Sequence, residues 1–232
     1  MTLTLPIRDV VHATPRARIV RIDLSGQPFP FDAGQALMIS SRGAERKRTY
    51  SIASSPEDVV ETGAIELLVG VNAEGSPGPH LVLEPHAFVD IDGPLGRFTF
   101  PAAPTEQRFV FVAGGTGISP LRSMLRHALH GRHEHMGLLY SARTPEEFAY
   151  ESELRELARQ GRIELKLKVT RETADRRWTG HRGRISSDDL APLVHGRRTL
   201  CFVCGPRPMV DEIPKLLTGL GLAPERIRIE EW

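Results

Sequence analysis

The pattern of apolar residues changes between residues 101 and 107, and this change limits the possible folds more than any other feature of the sequence. Before it, short β-rich runs alternate with turns rich in glycine, proline and aspartate, and helical periodicity is almost absent. Strands at this density predict a small closed antiparallel β-barrel. The runs predicted as strands are Ile19–Leu24, Ala36–Ser40, Thr49–Ser54, Ala64–Val71 and Phe88–Ile91.

After the change, short apolar runs alternate with stretches of helical periodicity. Uninterrupted apolar runs of this length are typical of strands buried on both faces, and their alternation with helices predicts a parallel sheet covered by helices. The runs are Phe109–Ala113, Met136–Tyr140, Ile163–Val169 and Leu200–Cys204, with Ile227–Glu230 as a fifth strand. We therefore expect two domains, a β-barrel over residues 1–103 and an α/β domain with a five-stranded parallel sheet over residues 104–232.

Helix signals place three helices in the second half of the chain. Ser119 is a candidate N-cap for the first, because serine side chains readily accept the unpaired N–H groups of a helix start. The second is expected to open at Thr144–Glu147, where Thr144 and Glu147 have the spacing of a capping box. The third is expected over residues 208–217.

Composition excludes several classes of function. A net charge of +1 over 232 residues favours neither nucleic acid nor a membrane surface as a partner. No apolar run reaches the roughly 20 residues of a membrane span, and the first residues do not resemble a secretion signal. The only cysteines, Cys201 and Cys204, do not look like a disulfide framework. We expect a cytoplasmic protein without a metal site, and we favour a monomer while leaving the oligomeric state open.

A glycine-rich run, Gly114-Gly115-Thr116-Gly117, follows the first strand of the second half and opens a helix. Glycines let the backbone turn sharply and approach a diphosphate, while a helix N-terminus presents N–H groups and the positive end of its dipole. The run could also be a plain strand-to-helix turn, and its spacing differs from the Gly-x-Gly-x-x-Gly of the ordinary dinucleotide fold. Taken alone, it indicates phosphate binding only weakly.

Two further motifs strengthen that interpretation. Arg48-Thr49-Tyr50-Ser51 lies in the barrel half, and Cys204-Gly205-Pro206 ends the last interior strand of the sheet half. Each has an ordinary structural explanation, because Tyr50 could be a barrel aromatic and Cys204 a buried small side chain. In this order and on these elements, the three motifs resemble the ferredoxin–NADP reductase superfamily over essentially the whole chain.

The resemblance implies that the barrel binds FAD. In that family Arg48 would contact the flavin diphosphate, Tyr50 would pack on the isoalloxazine ring, and Ser51 would hydrogen-bond near its N5 atom. Gly78 departs from the family's Gly-x-x-Ser-x-x-Leu run, where serine is usual, so one hydroxyl contact to phosphate is missing. The flavin-binding residues implied are Arg48, Thr49, Tyr50, Ser51, Gly75, Gly78, Gly93, Pro94, Gly96 and Phe98.

The resemblance also implies that the sheet half binds a nicotinamide coenzyme, with the glycine run at the diphosphate and Cys204 beside the nicotinamide. The residues implied are Gly115, Thr116, Gly117, Ser119, Pro120, Ser141, Arg143, Thr170, Arg171, Gly205 and Pro206. Catalytic roles are implied for Ser51, Cys204, Glu230 and Trp232. Glu230-Glu231-Trp232 is similar to the plant-type ending, in which a terminal aromatic covers the flavin; a frayed tail is the alternative.

NADPH is expected as the coenzyme, with NADH as the alternative. Thr170-Arg171-Glu172 follows the third strand of the second half, where NADP-using relatives place Ser-Arg-Glu against the 2′-phosphate. Further arginines nearby add positive charge that suits a dianionic phosphate: Arg176, Arg177, Arg182 and Arg184. A solvated arginine-rich loop would give the same composition.

The activity implied is hydride transfer from NADPH to FAD, followed by single-electron transfer to a ferredoxin- or flavodoxin-like protein. Two cysteines cannot hold an iron–sulfur cluster, so we expect the acceptor to be a separate molecule. Arg42, Arg46 and Lys47, together with Arg97 on the second flavin run, could form a basic rim for an acidic partner. The alternatives are an NAD(P)H-dependent free-flavin or ferric reductase, and an electron-transfer flavoprotein subunit of a larger oxygenase-type complex. Those free-flavin relatives tend to lack the run at Gly93–Phe98.

Overall fold

The chain divides into two compact units. A computed structural model describes residues 2–171 and 178–231. The first unit comprises Met1–Phe100 with Arg122–His127, and the second comprises Pro101–Leu121 with Ala128–Trp232. In the described ranges, no helix is both long and apolar enough to cross a membrane.

The first unit is an antiparallel sheet of six strands in the order β4-β3-β6-β1-β2-β5. The strands are β1 Thr2–Thr14, β2 Ala17–Asp23, β3 Ala36–Ser41, β4 Arg48–Ser51, β5 Ala64–Gly70 and β6 Phe88–Leu95. Ile52, directly after β4, bridges Leu67 on β5, so the two edge strands of the sheet meet. The expectation of an antiparallel barrel is confirmed.

Alternating side chains of the strands build the interior of this unit. On β2, Val20 and Ile22 are buried while their neighbours are half-exposed, which is the period-two pattern of a strand with one face in the core. The edge strand β5 is buried along nearly its whole length, as its apolar sequence requires. Leu5, Leu37 and Ile91 join the same cluster from three other strands.

A short helix, α1 (Pro56–Thr62), was not predicted in the barrel half. Its signals are present in the sequence, because Ser55 and Asp58 form a complete capping box and Pro56 occupies the first turn. The Asp58 carboxylate also accepts a hydrogen bond from Arg126 Nε at 2.6 Å. The helix was missed because its seven residues bury only Val59 and therefore show no apolar stripe.

The second unit is a parallel sheet of six strands in the order β10-β9-β8-β7-β11-β12, connected through helices. The strands are β7 Arg108–Gly114, β8 His135–Ala142, β9 Glu164–Val169, β10 His181–Arg182, β11 Thr199–Gly205 and β12 Ile227–Glu231. The helices are α2 Ile118–Ala128, α3 Glu151–Arg159, α4 Ser187–Leu190 and α5 Arg207–Gly219. The α/β class and the five predicted strands are confirmed. The sixth strand, β10, has only two residues, too few to leave an apolar pattern.

Two predicted helix starts were wrong. Ser119 lies inside α2, which begins at Ile118 directly after a 3₁₀ turn over Gly115–Gly117, so Ser119 is not its N-cap. Thr144 precedes only another 3₁₀ turn, Pro145–Glu147, and makes no capping hydrogen bond within the described chain. The helix that follows starts at Glu151, because Tyr150 has a left-handed backbone conformation that separates the two segments.

Candidate functional site

The motif Arg48–Ser51 forms the whole of β4. Arg48 and Thr49 are exposed, while Tyr50 and Ser51 are half-buried. Tyr50 is fixed by His80, because its hydroxyl lies 3.0 Å from His80 Nε2 and the two rings stack with centroids 6.0 Å apart. The strand therefore presents three groups in succession: the exposed guanidinium of Arg48, the ring of Tyr50 held by His80, and the hydroxyl of Ser51.

Sequence reasoning missed His80 as the residue that positions Tyr50. It is only 4% exposed, and burial together with the Arg48 charge lowers its pKa, so its imidazole is neutral at physiological pH. Burial raises the pKa of Tyr50, which keeps the phenol protonated. The pair is thus uncharged on both sides. Histidine in the glycine- and proline-rich run before Leu81 was the available signal.

The run from Gly75 to Gly78 forms a turn held by its own side chains. Gly75 and Gly78 have φ of +81° and +107°, conformations that residues with a Cβ rarely adopt. The Gly78 N–H donates to Ser76 Oγ at 3.1 Å, and the Ser76 N–H donates to Asn72 Oδ1 at 2.8 Å. The backbone therefore explains why glycine replaces the family's serine at Gly78.

The second flavin run closes β6 and continues beyond it. Gly93 packs so tightly on β3 that a Cβ there would lie 3.0 Å from Leu37 Cβ. Pro94 follows it in the strand and is half-buried. Gly96 has φ of +93°, and its carbonyl accepts a hydrogen bond from Gln35 Nε2 at 3.3 Å. Phe98 is buried, so the run is anchored at both ends.

The glycine run of the second unit is packed against the neighbouring strand. A Cβ on Gly117 would lie 2.4 Å from the Cys204 carbonyl oxygen, and one on Gly114 would lie 2.6 Å from Met209 Sδ. Gly115 has φ of +55°. The first turn of α2 contains no acidic residue, so a bound anion would meet no opposing carboxylate there. Glycine is required here by close packing as well as by any ligand.

Tyr140, which sequence reasoning took only as part of a strand, holds this turn in place. It is fully buried on β8, and its hydroxyl donates to the Gly115 carbonyl at 3.1 Å while accepting the Ala149 N–H at 3.2 Å. Burial raises the pKa of this phenol, so it stays a donor. Tyr140 on β8 therefore fixes the position of the glycine turn that follows the neighbouring strand β7.

Four further predicted residues lie where β8 and β9 end, at the same edge of the sheet as the glycine turn. Ser141 pairs with Gly114 in the strand register and is buried, whereas Arg143 is exposed just beyond β8. Thr170 Oγ1 donates to the Ala142 carbonyl at 3.2 Å, and the Arg171 N–H donates to the Arg143 carbonyl at 3.0 Å. Both arginine side chains therefore stand at this edge with their charges exposed.

Cys204 and Glu230 are register partners on β11 and β12. Cys204 is 2% exposed, and burial, with the nearby Glu230 charge, raises the pKa of its thiol. Burial raises the pKa of Glu230 to about 7. Gly205 and Pro206 follow Cys204, and Pro206 is the N-cap of α5. This corner of the sheet thus carries an uncharged thiol beside a carboxyl that holds a proton near neutral pH.

Some predicted residues lie outside the described ranges. They are Glu172, Arg176, Arg177 and Trp232. The predicted roles of the terminal aromatic and of those two arginines stay predictions.

The residues present fit FAD and a nicotinamide coenzyme. The exposed guanidinium of Arg48 suits the diphosphate of FAD, and the glycines at the start of α2 suit the diphosphate of the coenzyme. The fold and the two motif sets define an oxidoreductase with one flavin unit and one nucleotide unit. The oxidoreductase FAD-binding domain family matches residues 5–100, and the oxidoreductase NAD-binding domain family matches residues 111–215.

Known proteins are similar to this chain along most of its length. Ferredoxin–NADP reductase B of Sorangium cellulosum is 35% identical, over 89% of this chain and 87% of that protein. Oxidoreductase NAD-binding domain-containing protein 1 of Danio rerio is 31% identical, over 97% of this chain and 89% of that protein. The crystal structure of a cytochrome P450 reductase from Amycolatopsis superposes with a TM-score of 0.84 at 25% identity, covering all of this chain and 69% of that one. The chain belongs to the ferredoxin–NADP reductase superfamily.

Proposed function

We propose that this protein oxidises NADPH through a bound FAD and delivers electrons singly to a separate ferredoxin- or flavodoxin-like protein. Residues 1–103 would hold the flavin and residues 104–232 the coenzyme. The observation that carries the proposal is the row on β4, where Arg48, Tyr50 and Ser51 are presented together and Tyr50 is fixed by His80. FAD, when bound, supplies the conversion between two-electron and one-electron transfer.

The chain's own residues would bind, orient and move protons. Arg48 would contact the charged flavin diphosphate, and the Tyr50 ring would pack on the isoalloxazine ring. Ser51 would offer its hydroxyl near the N5 atom. Cys204 would form a small uncharged wall beside the nicotinamide, because its buried thiol stays protonated. Glu230, with a pKa of about 7, would hold or release a proton in the physiological range.

The preference for NADPH is proposed from positive charge at the coenzyme edge. Arg171 and Arg143 are both exposed there, and a guanidinium binds a dianionic phosphate better than a ribose hydroxyl. The similarity to a protein named ferredoxin–NADP reductase B is in keeping with this preference.

A separate acceptor is proposed because the chain has only two cysteines, both buried on β11, whereas ferredoxin-type clusters are held by four cysteine thiolates. Lys47 adds little to the predicted basic rim, because it forms an ion pair with Asp92, its Nζ lying 2.6 Å from Asp92 Oδ2. Arg42 and Arg46 remain exposed for an acidic partner. A cytoplasmic location and a monomeric state stay predictions from the sequence.

Stopped-flow reduction of the purified protein by NADPH and by NADH tests the proposal. We expect FAD to stay bound through desalting and to be reduced faster by NADPH. In Arg171→Ala, kcat/KM for NADPH should fall by roughly 10- to 100-fold, as loss of a charge-assisted hydrogen bond implies, while the value for NADH stays nearly constant.

Arg171→Lys is the matched control, because it keeps the charge and loses the forked geometry; it should recover part of the NADPH rate. An equal loss with both coenzymes would show that Arg171 is structural. Flavin lost on desalting would instead favour a reductase that treats flavin as a substrate.

A further inference from the structure

Three potential metal ligands meet at the amino-terminal edge of the parallel sheet, opposite the edge that carries the glycine turn. His135 and Glu164 are the first residues of β8 and β9, and His195 lies in the loop before β11. One ligand atom from each lies within 4.8 Å of the other two. His195 Nε2 is 3.9 Å from Glu164 Oε2, and the two imidazole rings have centroids 3.9 Å apart.

The side chain of His135 has an unused acceptor. Its Nε2 atom is buried and has no hydrogen-bond partner in the described part of the chain. Gly137 leaves room beside this nitrogen, since a Cβ there would lie 3.3 Å from it. A buried polar atom without a partner is uncommon in folded proteins and calls for an explanation.

The charges around the cluster leave its ligands available. The guanidinium of Arg108, which contacts the His195 backbone, already has partners: its Nη2 lies 2.7 Å from Glu134 Oε2, and its Nη1 donates to the His195 carbonyl at 3.0 Å. The carboxylate of Glu164 then supplies the only negative charge in the triad itself.

We propose that His135, Glu164 and His195 bind a divalent first-row transition metal ion, with Zn²⁺ as the probe. Two imidazoles and one carboxylate are a ligand set that such ions accept, and a water would complete four-coordination. Zn–N bonds of about 2.1 Å place ligand atoms about 3.4 Å apart, so the triad must contract slightly. Glu164 and His195 can rotate inward because their side chains are 40% and 48% exposed.

The site would act apart from hydride transfer. The glycine turn, Cys204 and Arg171 all lie at the carboxyl ends of the strands, whereas the triad lies at their amino ends. A metal there would join β8, β9 and the loop before β11, and would therefore stabilise the nucleotide unit. The proposal is therefore tested by measuring metal binding directly, not by measuring enzyme activity.

Isothermal titration of the FAD-loaded full chain with Zn²⁺ tests the proposal. We expect one equivalent to bind the wild type and Mg²⁺ to give no heat. His195→Ala should weaken binding by more than the roughly 10- to 100-fold that loss of an outer-shell partner costs. His133→Ala is the matched control, because His133 sits on the loop just before β8 with its Nδ1 against the Gly131 carbonyl.

Thermal unfolding gives a second readout. Zn²⁺ should raise the Tm of the wild type and of His133→Ala, and leave that of His195→Ala unchanged, since only a site in the folded state couples binding to stability. Glu164→Gln replaces His195→Ala if the latter does not fold. No binding to the wild type, or undiminished binding to His195→Ala or Glu164→Gln, would overturn the assignment, as would equal loss in His133→Ala.

Discussion

The two candidate binding regions, β4 and the start of α2, are built in different ways. On β4 the flavin motif consists of side chains, and Arg48 and Thr49 extend into solvent where a substitution displaces nothing. At the start of α2 the nucleotide motif consists of backbone, and Gly117 is packed where a Cβ would meet the Cys204 carbonyl at 2.4 Å. A substitution in the first region should therefore weaken ligand binding without lowering stability. A substitution in the second region should lower both.

The largest effect is expected from Gly117→Ala. The added methyl overlaps a backbone oxygen that has little freedom to move, so we expect about 3 kcal/mol of destabilisation, near the upper end for overpacking. Coenzyme affinity should fall together with the Tm. Chemical denaturation and NADPH titration of the same sample measure both.

Gly219→Ala is the matched control, because a Cβ at the end of α5 meets no described atom within 4 Å. It should leave coenzyme binding unchanged. A Gly117→Ala protein with wild-type stability and weakened coenzyme binding would contradict this prediction, since the glycine would then serve the ligand alone.

A smaller effect is expected from Arg48→Ala. Loss of a charge-assisted phosphate contact should weaken FAD binding by roughly 1.5–3 kcal/mol, while apoprotein stability changes little because the side chain is exposed. Flavin released during dialysis and the Tm of the apoprotein are the two measurements.

Arg46→Ala removes a charge from the exposed loop before β4 and should keep the full complement of flavin. Full flavin occupancy in Arg48→Ala would remove this residue from the flavin site.

A further expected effect is a pH dependence of stability from Glu230. Its pKa is about 7 in the folded chain, against an ordinary value of 4.5. Below the ordinary value the carboxyl is protonated in both states; between the two values the folded chain keeps a proton that the unfolded chain releases. Stability should therefore fall as the pH rises through this window.

In Glu230→Gln this contribution should be absent, so its unfolding free energy should vary less than the wild type's between pH 5 and 7, about the interval bounded by the two values. Parallel curves for the two proteins would mean that Glu230 titrates normally.

The two halves differed in how much of their structure could be predicted. Runs such as Phe109–Ala113 and Leu200–Cys204 are continuous apolar strands, and a parallel sheet followed from them directly. The helix α1 escaped because capping signals without an apolar stripe are easily taken for a turn. Ser119 was misplaced because a 3₁₀ turn before α2 supplies the helix start that a capping serine would otherwise provide.

The candidate sites show a similar limit. Local motifs such as Arg48–Ser51 are visible in sequence because their members are neighbours. Tyr140 and His80 were missed as positioning residues, since their partners Gly115 and Tyr50 are distant from them in the sequence. The proposed metal ligands were missed for the same reason: strand register, rather than spacing along the chain, brings them together.

The edges of the parallel sheet carry a consequence for behaviour in concentrated solution. An exposed strand edge is a template on which another chain can add a strand and begin to aggregate. Here one edge is the two-residue strand β10, too short to align a second chain. The other is β12, where Arg228 and Glu231 place charges along the five residues. Both edges should thus resist growth of the sheet between molecules, so the protein should withstand crowding without fibril formation.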